Sequence, residues 1–339
     1  MRILLLKTWK TNIGNAFIDA GAKGIIKQAF PNAEIVEFSG YHHLISNQIQ
    51  LGRFSGAGKI LGPVKETTGV QALKQSIKTR KQKQSGASSF VSLSEFVDVD
   101  LAVLPGCILY SHGLGNYIEA LRNLRERNIP VFLLGAGGGN YQKDTRQTVK
   151  QYLDKIEISG LITRDSTAYD SYKTSVPQAH DGIDCAFFLD EVYDPKPAND
   201  SFITLTFDKI TEPEIKSDQS VVRPDHEPFG EPFEGPIPSL LRDNKRFNEE
   251  GVFISDSMED YLFIYSNTKE THSDRIHACI PTLVYGNKAK FYYETPRANL
   301  FEKIDRDINN NLIELDETRM EELKQNQIDS FLFMVKSSL

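Results

Sequence analysis

The chain has 339 residues, a formal net charge of −7 and 40% hydrophobic residues. That length suits about two domains with sizeable cores, and the acidic balance excludes a general nucleic-acid binder. No apolar run reaches the ~18 residues needed to span a bilayer. The opening "MRILLLKTWK" turns polar too soon for a signal peptide, so residues 2–7 read as a buried parallel strand. Asn12, Gly14 and Asn15 follow in a loop. A helix comes next with Phe17, Ala20, Ile25 and Ile26 facing inward, and then the strand "AEIVEFSG". Together these make a βαβ unit. Gly14 serves the tight turn, and Asn12 either caps the helix or hydrogen-bonds a ligand. The full G-x-G-x-x-G fingerprint is missing, so no dinucleotide site is assigned.

Residues 52–89 are rich in Gly, Ser, Lys and Gln, with basic positions that include Lys59, Lys65, Lys74, Lys78, Arg80, Lys81 and Lys83. They read as an inserted surface segment, either a solvated charged face or a positive flap over an anionic substrate. The βα pattern resumes with the strand "VDLAVLPG", the amphipathic helix "NYIEALRNLRERN" and the strand "IPVFLLGAGGG". Its glycines, among them Gly137 and Gly138, suit either a close backbone approach or a plain tight connection. "QTVKQYLDKIEISG" reads as a helix. "GLITRD" reads as a strand that delivers Arg164 either to the edge where open α/β sheets bind ligands or to a salt bridge with Asp165 or a neighbour. "STAYDSYK" starts a helix from a serine cap, and "HDGIDCAFFL" places Asp181 and Asp184 beside an apolar strand.

Eight of the fifteen prolines lie between Pro195 and Pro238, so "RPDHEPFGEPFEGPIP" is no regular element. It suits a lid. An inter-domain link falls within residues 194–200. "SFITLTFD" and "GVFISD" read as strands, "SMEDYLFIYSN" as a helix, and "ETHSD" as a short strand or turn. Residues 271–286, "THSDRIHACIPTLVYG", then put Asp274, Arg275 and His277 ahead of Ile276, Cys279, Ile280 and Leu283 at helical spacing. Ser273 or Asp274 is the expected N-cap, with Arg275 and His277 in the first turn. Unpaired N–H groups and the helix dipole attract anions there. Arginine offers a planar fork for carboxylate or phosphate, and histidine exchanges protons near neutral pH. A surface ion pair and a structural histidine are the plainer readings of the same residues. "AKFYYET" is a strand and "PRANLFEKI" a helix with proline at its start, where Arg297 either meets an anion or lies on the surface. Residues 316–339 read as one amphipathic helix. Cys107, Cys185 and Cys279 are far apart and odd in number, which fits reduced thiols in a cytoplasmic protein without zinc spacing.

Five pieces, "NIGNAFIDAG", "GAGGG", "ITRDSTAYDSY", "DGIDCAFF" and above all "SDRIHACIPTLVYGNKAKFYYE", give the chain a resemblance to the polysaccharide pyruvyl transferase family. The chain departs from it at Asn15, where the family's N-x-G-D has Asp. The resemblance implies an α/β fold of two Rossmann-like domains whose parallel sheets face each other across a cleft, similar to GT-B architecture. Residues 1–194 would be the acceptor-side domain with insert 52–89. Residues 195–310 would carry the R-x-H donor site, and residues 311–339 a helical segment packing back on the body. The implied reaction moves a pyruvyl group from phosphoenolpyruvate onto two hydroxyls of a glycan or lipid-linked sugar, forming a ketal. Arg275 matches the family's donor-binding position, and Arg164 is the second candidate. His277 either delivers the proton or steadies the leaving phosphate. Asn12, Gly14, Gly137, Gly138 and Asp274 complete the candidate substrate-binding set, with Asp274 either holding Arg275 or capping the helix. Beyond the phosphoenolpyruvate donor no cofactor or metal is expected. A nucleotide-sugar glycosyltransferase and a non-catalytic glycan-binding member are the alternatives, since a fold does not fix chemistry. The basic residues between 74 and 83 suit contact with the inner membrane face, and a homo-oligomer is left open.

Overall fold

The computed structural model describes residues 1–9, 12–39, 93–110, 113–226 and 250–339. The basic insert and the proline-rich stretch past His226 lie outside these residues, so the flap, lid and membrane readings do too. Strands β1 (Arg2–Lys7), β2 (Glu34–Ser39), β3 (Leu101–Cys107), β4 (Val131–Gly137), β5 (Gly160–Thr163) and β6 (Ala179–Asp181) form one parallel sheet, ordered β2-β1-β3-β4-β5-β6. Strands β7 (Phe202–Thr206), β8 (Ser220–Pro224), β9 (Val252–Phe253), β10 (Glu270–Ser273) and β11 (Lys288–Phe291) form a second parallel sheet, ordered β11-β10-β7-β8-β9. Each is a Rossmann-like unit with helices on its faces. The strand order reverses beside β1 in the first sheet and beside β7 in the second. Open α/β sheets bind ligands at the carboxyl ends of strands flanking such a reversal.

The strand sequences explain the burial. Ile3, Leu4, Leu5 and Leu6 are all buried, as a strand covered on both faces requires. Ile3 and Leu5 join one apolar cluster and Leu4 and Leu6 the other, following the two-residue period of a strand. The first cluster lies under helix α1 (Ile13–Ala29) and runs on into helices α5 (Met258–Asn267) and α6 (Ile276–Val284) beside the second sheet. Phe17 of α1 meets Tyr265 of α5 edge-on at 6.2 Å between ring centroids. The second cluster lies under helices α2 (Ile118–Glu126), α3 (Lys143–Ile156) and α4 (Ser166–Tyr172). The last helix, α7 (Glu317–Ser338), returns to the first sheet. Its Phe331 stacks edge-on against Phe132 of β4, and Gln327 accepts the Ile183 N–H at 2.6 Å.

Several local expectations are corrected. Asn12 Oδ1 accepts the Gly14 N–H at 2.8 Å, so α1 starts at Ile13, and Gly14 and Asn15 belong to its first turn rather than to a loop. Asp165, not Ser166, caps α4, by accepting the Ala168 N–H. The apolar run after Asp184 is a 3-10 helix, Cys185–Glu191, and not a strand, because the Asp184 side chain caps it through the Ala186 N–H. Helix α3 starts at Lys143, ahead of the expected "QTVKQYLDKIEISG". Strand β8 was hidden by the surrounding prolines. Its only proline, Pro224, stands at the strand's end, where a missing N–H costs least. "PRANLF" forms a 3-10 helix, Pro296–Phe301, capped by Thr295.

Candidate active site

The carboxyl ends of β7 and β10 deliver Asp208 and Arg275. Asp274 ties these ends together: its Oδ2 accepts backbone N–H groups from Asp208 at 2.9 Å, Lys209 at 2.6 Å and Ile210 at 2.9 Å. Asp274 Oδ1 is buried without a hydrogen bond from any described residue. Burial holds the Asp274 carboxyl above its usual range, against the three N–H groups that pull it down. Asp208 in turn receives Arg275 Nε at 2.6 and 2.7 Å, and also Nη2. This fork-on-carboxylate geometry fixes the guanidinium plane. The ion pair expected from the plainer reading therefore exists, but only about an eighth of Arg275's side chain is exposed. Arg275 also takes the N-cap place of α6, in place of Ser273 or Asp274, and no side chain caps the helix. Ser273 Oγ is engaged elsewhere, accepting the Arg275 N–H at 2.8 Å and donating to the Thr206 carbonyl at 2.8 Å.

The first sheet supplies Arg164 just after β5. It is 2% exposed, and its Nη1 donates to Asp184 Oδ2 at 2.9 Å. Its Nε is buried with no hydrogen-bond partner among the described residues. The same Asp184 oxygen lies 3.6 Å from His277 Nε2. Burial alone would raise the Asp184 carboxyl, yet His277 and Arg164 hold it well below the usual carboxylate range. One carboxylate with no exposed surface thus joins an arginine of the first unit to a histidine of the second.

These side chains open onto one cavity of about 340 Å³. Arg164, Lys209, Arg275, Arg297 and His277 line it, and Asp274 is the only carboxylate on its wall among the described residues. Such a surplus of cations suits a small polyanion. Arg297 reaches across to the first unit: a β-carbon built on Gly139 would stand 3.3 Å from its Nη2. Asn12 caps α1 and also lines the cavity, as does Asn15. The three candidate glycines shape the site from behind. A β-carbon on Gly14 would meet His277 Cβ at 2.8 Å, and one on Gly137 would meet Arg164 Nε at 2.2 Å. Gly138 donates its N–H to Tyr141 Oη at 2.9 Å, which donates to Asp165 at 2.8 Å, and neither Gly137 nor Gly138 lines the cavity. His272 is engaged with Tyr292 and Glu270, away from the cavity. Among the described residues no cluster of three His, Cys, Asp or Glu side chains could hold a metal. No described helix is long and apolar enough to cross a membrane.

Two residues central to this geometry, Asp208 and Asp184, are not among the candidate site residues of the sequence. Asp208 had a signal, since it ends "SFITLTFD" where a parallel strand meets the ligand edge. Asp184 had a weaker one as the acidic residue just ahead of an apolar run.

A family model described as polysaccharide pyruvyl transferase matches residues 12–286. The chain belongs to that family. No curated protein matches it. Among solved structures it is similar to S. aureus MnaA in complex with UDP, at 11% identity and a TM-score of 0.48, over 99% of this chain and 90% of that one. It is also similar to a UDP-GlcNAc 2-epimerase from Neisseria meningitidis bound to UDP-GlcNAc, at 13% identity and a TM-score of 0.45, over 99% and 92% of the two chains. For the family member described here, the matched span takes in the whole R-x-H element together with Asn12, Gly14, Arg164 and Asp208.

Proposed function

We propose that this protein moves the enolpyruvyl group of phosphoenolpyruvate onto a sugar diol of a glycan or lipid-linked precursor, forming a pyruvate ketal and releasing phosphate. The observation that carries this reading is the convergence of four cationic side chains and His277 on one cavity of about 340 Å³. Phosphoenolpyruvate carries a carboxylate and a phosphate, and planar guanidinium groups match both. Arg275, held in plane by Asp208, grips one anionic group. Arg164, which lines the same cavity, meets a second. The uncapped first turn of α6 adds oriented N–H groups.

His277 gives a proton to the methylene carbon of the enol, which becomes a methyl group. The adjacent carbon gains cationic character, and a sugar hydroxyl attacks it, its proton restoring that of the His277 ring. Departure of phosphate regenerates the cation, the second hydroxyl closes the ring, and its proton goes to the departing phosphate. Asp184 Oδ2 stands 3.6 Å from His277 Nε2, beyond hydrogen-bond distance, beside the ring that gives the proton. The cations around the cavity stabilise the leaving phosphate.

Incubation with phosphoenolpyruvate and candidate glycans, following phosphate release, tests this. Release that is glycan-dependent and lost in folded His277→Ala is the expected result. Thermal stabilisation by a nucleotide sugar but not by phosphoenolpyruvate would replace the reading with the glycosyltransferase alternative.

A further inference from the structure

A second cavity of about 340 Å³ lies further along α1. Asn15 lines the first cavity and the next residue, Ala16, lines the second, so one helix serves both. Ala16, Ala20, Lys23 and Lys27 supply successive turns of a single α1 face. The end of β1 contributes Trp9 from the first unit. Asp256 and Glu259, at the start of α5, contribute from the second.

Its chemistry differs from that of the first cavity. Lys7, Lys23 and Lys27 meet Asp19, Glu37, Asp256 and Glu259 on its walls, so neither sign prevails. Glu37 pairs with Lys23 and lies 3.7 Å from Lys7, which neutralises that wall. A polyanion gains little there. A neutral ligand with many hydroxyls finds donors and acceptors side by side. The apolar part of the wall includes Trp9, Val192 and Met258, and an amphipathic indole suits the C–H face of a sugar ring. Trp9 Nε1–H is buried and donates to nothing among the described residues, so the cavity is offered the indole's carbon surface rather than this N–H. The tryptophan is also held in place: Asp19 accepts its backbone N–H at 2.9 Å and that of Thr8 at 2.9 Å. The volume is at the lower end of small-ligand pockets, ~300–1,000 Å³.

We propose that this second cavity binds a neutral sugar unit, the acceptor residue next to the one that receives the pyruvyl group. Its role as an acceptor subsite rests on the transfer reaction proposed above, whereas its preference for a sugar does not. Trp9 is the chain's only tryptophan, so its emission reports this cavity and no other. The full chain is titrated with methyl glucoside, galactoside and mannoside, with their β1,4-linked disaccharides, and separately with phosphoenolpyruvate and inorganic phosphate. A saturable change of Trp9 emission with at least one sugar, and none with the anions, is expected. Asp256→Asn with Glu259→Gln, both on exposed residues, should weaken the sugar response about tenfold. The same variant should leave phosphoenolpyruvate affinity by calorimetry unchanged, and His277→Ala should leave the sugar response unchanged. Emission unmoved by every sugar, a response to the anions alone, or full sugar affinity in the double variant would each overturn the proposal. A sugar response without phosphoenolpyruvate binding would retain the sugar site and remove the transfer reaction.

Discussion

The imidazole of His277 lies 3.6 Å from the fully buried carboxylate of Asp184, a contact between the two units that also includes Arg164. Asp184→Asn leaves the Arg164 guanidinium buried without its charge partner. Breaking one side of a buried pair costs about 3–5 kcal/mol. Urea unfolding at pH 7 should show a loss of that order, and glycan-dependent phosphate release should fall in the fraction that remains folded. The pH dependence has a definite sign. The folded Asp184 carboxyl lies below its unfolded value of 3.8, so its stabilisation is complete above about pH 4 and declines as the pH drops further. The acid limb of the stability curve should flatten in Asp184→Asn.

Gly14 sits in the first turn of α1, where alanine is ordinarily worth about 1 kcal/mol more than glycine in a helix. At this position the added carbon would meet His277 Cβ at 2.8 Å, and that contact cannot relax by rotating a flexible chain end. Overpacking of this kind costs about 1–3 kcal/mol, so the clash outweighs the propensity gain. Gly14→Ala should lower the melting temperature and reduce turnover, because relief requires α1 and α6 to separate at the cavity wall. A melting temperature equal to or above that of the parent would show that the two helices do not meet as closely as described.

The Asp208–Arg275 pair offers a third test. Asp208 holds the guanidinium plane through Nε and Nη2. Charge-assisted hydrogen bonds are worth about 1.5–3 kcal/mol each. Asp208→Asn should therefore raise the KM for phosphoenolpyruvate by about tenfold or more with a smaller change in kcat, since the arginine persists but loses its fixed orientation. Arg275→Lys should be worse, because an ammonium cannot make the planar fork. Steady-state kinetics on the two variants separate orientation from charge.

The fold was legible in the sequence wherever a strand was buried on both faces. "RILLLK" and "VFLLGAG" admit no other placement, and their alternation with amphipathic helices announced parallel sheets. Helix starts were less legible, because caps depend on which of two adjacent polar residues takes the extended conformation. Asp165 displaced Ser166, and Arg275 displaced Ser273 because Ser273 Oγ is committed to Thr206. The R-x-H element was visible as a charged cluster before an apolar helix. Its carboxylate partners were not, since Asp208 is paired with Arg275, and Asp184 with Arg164 and His277, only once distant parts of the chain meet. Gly137 suits a close approach or a plain tight connection in the sequence, and the atom that approaches it in the fold belongs to Arg164.

Asp19 supplies the last prediction. It is buried beneath Trp9 and accepts N–H groups from Thr8 and Trp9, yet burial outweighs those bonds and lifts its carboxyl to about 6. The unfolded value is 3.8, so folding favours the protonated form. The stabilisation is complete below about pH 4 and is lost as the pH rises through about 6. A two-unit difference corresponds to about 3 kcal/mol at most. Asp19→Asn cannot ionise, so the stability of the parent chain relative to this variant should decline between pH 4 and pH 7 by up to that amount. Urea unfolding of both proteins at half-unit intervals measures it. A difference that stays level across the window would mean that the Thr8 and Trp9 hydrogen bonds, rather than desolvation, govern this carboxylate.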